Sequence, residues 1–291
     1  MNKKIIGIVC AIGAAVCYGT NPLARYLYAE GMNIPSVLFY RFGLAWIIVA
    51  LVMLGRCALK KENLRVNRRE FLTLSALGIL FILSSTTLYT SFSLMPSGIA
   101  STILFTYPVM TAAIMTFFFR ERITWTTVLS IALSLVGVAL LSFNDEGGTF
   151  SLLGIVLVLI SALTYALYII VVDKSPLQMS SFKINFYVLI CCAMGALLYS
   201  LLCGEPITLP HSFTGWFYVG WLAIVPAIMA LVLLVYAARY AGSTTTAILG
   251  ALEPLTAVLL GVVVFGEIFT VQLGVGIVLI LGAVVLAAYG K

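Results

Sequence analysis

Two charged residues stand where a charge is expensive. Glu253 lies about midway through the apolar run 243–265 and is followed at once by Pro254; Arg41 lies in the outer half of the apolar run 34–55. A charge at bilayer depth costs at least about 2.5–3.5 kcal/mol, so such residues turn toward a cavity or a partner. Glu253 and Arg41 can pair as a structural salt bridge, or they can share a solute. A zwitterion such as an amino acid suits the second arrangement, with its carboxylate at Arg41 and its ammonium at Glu253. Pro254 removes a backbone donor and clashes with the carbonyl four residues earlier, which is that of Gly250; Pro108 does the same to Leu104. Each is therefore expected to kink its helix and gate the site. Tyr18, Asn21 and Arg25 follow a helical spacing that puts them on one face. Tyr18, Tyr89, Tyr165 and Tyr236 form a duplicated aromatic set that can line an amphipathic cavity or sit at the membrane interface. Ser85, Thr86, Thr87, Thr102 and Thr106 add hydroxyls that either join that lining or bond helices together. Glu253, Arg41, Tyr18, Asn21, Tyr89, Thr106, Tyr165 and Tyr236 are thus the candidate cavity residues, with Pro108 and Pro254 as kinks.

The elements that must hold these residues follow from composition. The 291-residue chain is 63% hydrophobic and 9% charged, with a mean hydropathy of +1.16. Soluble domains carry about 25% charged residues. In lipid the backbone must satisfy its own hydrogen bonds, which leaves helices or a closed barrel. The apolar runs here are continuous over about 20 residues, whereas barrel strands alternate over about 10. The fold class expected is an all-α integral membrane protein. Ten spans are predicted, at roughly 5–25, 34–55, 71–93, 97–119, 124–143, 152–172, 181–203, 215–238, 243–265 and 270–289. The apolar stretch behind Lys3 and Lys4 resembles a leader peptide, but its repetition later in the chain makes it a span.

Basic residues set the expected orientation. With a cytoplasmic N-terminus, 14 of the 16 lysines and arginines fall on the inner side, all but Arg25 and Arg41, while Glu30, Asp145, Glu146, Glu205 and Glu267 fall outside. The even span count puts both termini in the cytoplasm. The basic run from Arg56 to Arg69 is an anchor at anionic headgroups, and nucleic acid is not an expected partner.

The chain also repeats itself. Gly7 to Gly19 matches Gly154 to Ala166, Phe39-Tyr40 matches Phe186-Tyr187, and Tyr89 matches Tyr236, all at an offset of 147. After a one-residue slip, Pro108 matches Pro254 and Glu121 matches Glu267. The units are expected at 1–145 and 146–291, each with five spans. Five is odd, so the second unit enters the membrane upside down relative to the first. Inverted repeats of this kind build secondary transporters with a solute site near the midplane, reached alternately from either side.

Tyr107 to Thr124 and Leu252 to Thr270 resemble the paired hallmark segments of the drug/metabolite transporter superfamily, EamA-like branch. The resemblance implies ten helices in two EamA-type repeats and permeation of small polar or amphipathic metabolites, amino acids or their derivatives among them, without ATP. It names no substrate. Glu121 and Glu267, which follow the matched prolines, are expected to be structural, with Arg120 and Arg122 beside the first.

Several signatures are missing from the sequence. It holds no Walker A sequence, so no ATPase function or subunit is indicated, and neither HExxH nor GxSxG. The six cysteines form no CxxC pair and read as small packing residues; neither metal nor other cofactor is expected. The partners expected are a small-molecule substrate and the lipid bilayer of a bacterial inner membrane. A carboxylate that is dry in one state and hydrated in another can exchange a proton, so the proton is a candidate coupling ion beside uncoupled exchange. A passive channel or facilitator is the alternative to alternating access.

Overall fold

A computed structural model describes residues 3–60, 63–95, 100, 103–142, 151–265 and 269–289. Helices follow from the composition: an apolar solvent forces each segment to bond to itself. In chain order they are α1 (Lys3–Tyr18), a 3-10 turn (Asn21–Ala24), α2 (Arg25–Ala29), α3 (Ile34–Lys60), α4 (Arg68–Phe92), α5 (Tyr107–Phe119), α6 (Trp125–Ser142), α7 (Leu152–Lys174), α8 (Ser181–Cys203), α9 (Phe213–Leu222), a π-helical segment (Ala223–Met229), α10 (Ala230–Ala241), α11 (Ser243–Leu249), α12 (Leu252–Phe265) and α13 (Val271–Tyr289). Among the described residues eight helical stretches are long and apolar enough to cross a membrane; α5 and α6 fall in two further expected spans as shorter apolar helices.

Three of the expected spans are interrupted near their middles. The first stops at Tyr18 and resumes through the 3-10 turn, because Pro22 cannot donate a hydrogen bond and disfavours helix at Asn21. Tyr18, Asn21 and Arg25 therefore do not share one continuous helical face, and Arg25 is exposed. The fourth turns at 105–106 and the ninth at 250–251. Pro108 sits in the first turn of α5 and Pro254 in that of α12. There the missing N–H has no intrahelical acceptor to lose, and the fixed φ favours helix entry. The expected kinks are thus breaks with a fresh helix start.

Several helix pairs recur when the two halves are exchanged. The helix α1 packs on α10, and α4 packs on α7; α5 packs on α7, and α12 packs on α1. The pairs α3–α8 and α6–α13 map onto themselves, and α5 also packs on α11. Ser84 of α4 and Ser161 of α7 bond reciprocally, each hydroxyl reaching the other's carbonyl, at 3.1 and 2.8 Å. Gly137 of α6 has no room for a Cβ, which would lie 2.9 Å from the Gly276 carbonyl of α13. An aromatic cluster fills the centre, with Phe81 against Phe42 and Tyr168 at centroid distances of 6.0 and 5.1 Å.

Each end of the bundle carries a strap across the α3–α8 pair. At the end bearing Arg65, Arg68, Lys174 and Arg239, the basic end, Lys183 Nζ donates to the carbonyls of Asn63 (2.7 Å) and Arg65 (2.8 Å), and the Tyr187 hydroxyl to that of Leu64 (2.6 Å). At the acidic end Asn33 donates to the Pro206 carbonyl (2.9 Å), and the Ser36 hydroxyl accepts from Thr208 N (2.8 Å). Asn33 and Ser180 are repeat partners, and each caps its helix, accepting from the backbone of Ser36 and Lys183. The double variant Lys183→Met, Tyr187→Phe is expected to raise trypsin cleavage at Arg65 about tenfold or more, since each charged hydrogen bond lost is worth about 1.5–3 kcal/mol of local opening. Limited proteolysis of the purified protein measures it.

Candidate functional site

The three helix interruptions meet α7 and α10 around one small cavity. It is lined by Ala11, Ala14, Ala15 and Tyr18 of α1, Tyr107 of α5, Tyr165 of α7, Leu234 of α10, and Thr246, Gly250 and Glu253 around the break between α11 and α12. A water-sized sphere finds about 10 Å³ within it, room for about one water molecule. Three alanines on one face of α1 create the space, since larger side chains there would fill it.

Glu253 lies in the first turn of α12, where the free N–H groups and the helix dipole favour a carboxylate. Its backbone N–H donates to the Gly250 carbonyl at 2.9 Å. That acceptor, expected to be released by Pro254, is thus engaged within the turn. The Asn21 side chain hydrogen-bonds to the Glu253 carboxylate, while Asn21 Oδ1 is buried without a partner. The Tyr18 hydroxyl and Thr246 Oγ1 are likewise buried with no partner. The ring of Tyr107 lies 4.9 Å from that of Tyr165, edge to face.

Gly250 permits this arrangement. A Cβ there would collide with the Tyr107 hydroxyl, so the tyrosine tip occupies the space that a side chain would need. The residues Tyr107 and Glu253 are repeat equivalents, each immediately before its proline, and both reach the same cavity. Tyr18 and Tyr165 are a second equivalent pair in the lining. One convergence point thus collects two duplicated positions, and only one of the four residues is charged.

Arg41 takes a separate place. It is 3% exposed on α3, with Nη1 donating to the Tyr89 hydroxyl at 3.0 Å and Nη2 reaching the Pro226 carbonyl of the π segment at 3.5 Å. Its guanidinium lies 5.2 Å from the Phe42 ring centroid, a cation–π arrangement. No ion pair joins Arg41 to Glu253; the two charges act on each other through space. Tyr89 serves as the partner of Arg41 and is not among the cavity-lining residues. Thr106 lies at the break of the fourth span, its hydroxyl donating to the Ile103 carbonyl at 2.8 Å. The Tyr236 ring packs on Tyr240 at 5.9 Å, away from the lining set. Glu121 is exposed in the turn after α5, where its N–H donates to the Met115 carbonyl and its side chain makes no ion pair with Arg120 or Arg122. Glu267 lies outside the described residues.

The sequence alone did not single out Ala11, Ala14, Ala15, Leu234, Thr246 or Tyr107 as lining. Tyr107 had a signal, its alignment with Glu253 in the repeat; the alanines had another, their common helical face. All six cysteines are free, and among the described residues no group of three or more metal-binding side chains is present.

A bundle with broken helices around a central carboxylate has the build of a solute carrier. The EamA-like transporter family model matches residues 5–143 and again 152–289, and the chain belongs to that family. It is 30% identical over 167 residues to an uncharacterized transporter of Archaeoglobus fulgidus, a match covering 57% of this chain and 58% of that one. An uncharacterized transporter of Clostridium kluyveri is 23% identical over 96% of this chain and 92% of its own. The uncharacterized inner membrane transporter YedA of Escherichia coli K12 is 27% identical over 67% of this chain and 63% of its own. A solved crystal structure superposes with a TM-score of 0.80 over 98% of this chain and 99% of that one, at 18% identity, a likeness of fold alone. The protein is a membrane transporter.

Gly250→Ala is expected to destabilise the protein by about 1–3 kcal/mol through overpacking against Tyr107. Adding Tyr107→Phe removes the colliding hydroxyl and should restore most of the loss. Thermal unfolding in detergent checks both; a double variant no more stable than Gly250→Ala would show that the close approach does not govern this packing.

Proposed function

We propose that the protein is a secondary transporter that moves small polar or amphipathic metabolites, amino acids or their derivatives among them, by alternating access. The observation that carries this reading is the meeting of two repeat-equivalent pairs, Tyr18 with Tyr165 and Tyr107 with Glu253, in one cavity. Residues related by a duplication converge this way when they lie beside the axis relating the copies. The exchange symmetry of the packing supports the same axis. Two units of five spans joined in one chain are then inverted relative to each other, giving ten spans. Such a scaffold has two conformations of similar packing that open to opposite sides.

The cavity supports movement over a standing pore. It has room for about one water, so any metabolite requires the surrounding helices to separate. Glu253 is placed to receive an ammonium or another donor, with Asn21 and the hydroxyls of Tyr18 and Thr246 supplying further polar contacts. Arg41, buried and without a carboxylate partner, would attract the anionic end of a solute once the halves part. Proton exchange at Glu253 would couple transport to the proton gradient.

The basic loops put both termini in the cytoplasm, and the name of the Escherichia coli relative supports an inner-membrane location. At the basic end Lys183 and Arg239 hold loop carbonyls, while the exposed Arg68 and Arg69 can meet anionic headgroups.

The test starts from a thermal-shift screen of the purified protein against amino acids, nucleosides, organic cations and vitamins, followed by counterflow of the stabilising compound in proteoliposomes. Glu253→Gln should weaken the stabilisation about ten- to a hundredfold, the loss of one charged hydrogen bond, and abolish any dependence of flux on the proton gradient. Undiminished counterflow in Glu253→Gln would refute the role of the carboxylate. Ionic current without counterflow would identify a channel instead.

A further inference from the structure

Asn185 of α8 is fully buried, yet neither its amide nitrogen nor its oxygen has a hydrogen-bond partner. Many hydroxyls of the bundle are instead settled within their own helices. Thr86, Thr111, Thr116, Thr164 and Thr256 each donate to the carbonyl one turn earlier in their own helices, the ordinary way to settle a hydroxyl in an apolar helix. An asparagine carries two donors and two acceptor sites. Leaving one such group unpaired in a dry interior shifts an equilibrium constant by about tenfold or more against the dry state.

Asn185 is not isolated. Ser181 lies one turn earlier on the same face, 1% exposed, with Oγ unpartnered. Farther along that face lies Cys192, whose thiol donates to the Gly78 carbonyl at 3.7 Å. On α7 the Tyr168 hydroxyl is also fully buried and unpartnered. One turn from Tyr168 is Tyr165, which lines the central cavity. Across the α3–α8 interface Trp46 Nε1 is buried without a partner too, its ring 5.9 Å from that of Phe186. Unsatisfied buried polar groups are thus present on α3, α7 and α8, with Asn185 and Ser181 at the basic end of α8. The repeat equivalents of Asn185 and Ser181 at the other end are Leu38 and Ile34, both apolar. Leu38 is fully buried. The two ends pack alike but are sealed by different chemistry.

We propose that Asn185, with Ser181 beside it, lines the aqueous route between the central cavity and the basic end in the conformation that opens that end. This rests on the alternating-access reading. In the structure described, the route is closed and its polar groups are dry; on opening they are hydrated and meet the passing polar solute. Their hydration favours the open form, a bias that the apolar seal of Leu38 and Ile34 does not supply at the acidic end.

The experiment uses full-length single-cysteine variants in a background with the six native cysteines replaced, in vesicles of both orientations. The probe is the membrane-impermeant cation methanethiosulfonate ethyl-trimethylammonium. Thr246→Cys reports access to the cavity and Asn185→Cys access to the route. Asn185→Cys is expected to react about tenfold faster from the basic face than from the acidic face, with Thr246→Cys reacting from both. An Asn185→Cys protein that stays protected from the basic face while Thr246→Cys reacts from that face overturns the route and leaves alternating access standing. Thr246→Cys protected from one face under all conditions removes alternating access, and the route with it. As a second measurement, Asn185→Leu, copying the apolar seal, should slow basic-face labelling of Thr246→Cys about tenfold, whereas Asn185→Gln should not; equal rates in the two variants overturn the proposed bias.

Discussion

A helix interrupted within a bilayer exposes backbone N–H and C=O groups that lipid cannot satisfy, so an interruption is tolerated only inside protein or against water. The bundle is arranged around that constraint. Three breaks lie side by side in the interior, and each is settled locally. The Thr20 hydroxyl donates to the Cys17 carbonyl, the Thr106 hydroxyl to that of Ile103, and the Glu253 N–H to that of Gly250. What remains unsatisfied is side chain: the Tyr18 hydroxyl, Asn21 Oδ1 and Thr246 Oγ1. The backbone at the breaks is bonded locally, and the groups left unpartnered belong to side chains.

Duplication supplies the shape and divergence supplies the chemistry. The α1–α10 and α4–α7 pairs are copies of one packing solution, as are the two straps on α3 and α8. The residues that depart from this symmetry are the polar ones. Tyr107 faces Glu253 across the cavity, Val188 stands where Arg41 stands in the first copy, and Leu38 answers to Asn185.

Much of the fold was legible because lipid reduces the options. Apolar run length found the eight long stretches able to cross a membrane, and the 147-residue offset related Tyr18 to Tyr165 before any coordinates. The interruption of the spans was less legible: Pro108 and Pro254 announced a disturbance, but whether a proline bends a helix or begins one depends on the residues before it. At the site, Glu253, Tyr18, Asn21 and Tyr165 were marked by polarity or duplication. The alanines of α1 were marked only by their common helical face, which does not say that the space beside them is empty. Tyr89 and Tyr236, equivalent in sequence, went to different tasks because their neighbours differ: Tyr89 has Arg41 beside it, and Tyr236 has Tyr240.

The straps have a mechanical consequence. Both hang from the first turns of α3 and α8, which pack along each other and start at opposite ends. Neither helix can slide or tilt at its start without pulling on the loop that precedes the next helix of its partner's half, 63–65 at one end and 206–208 at the other. The packed pair thus carries a tether at each tip, and neither helix is among those that line the cavity.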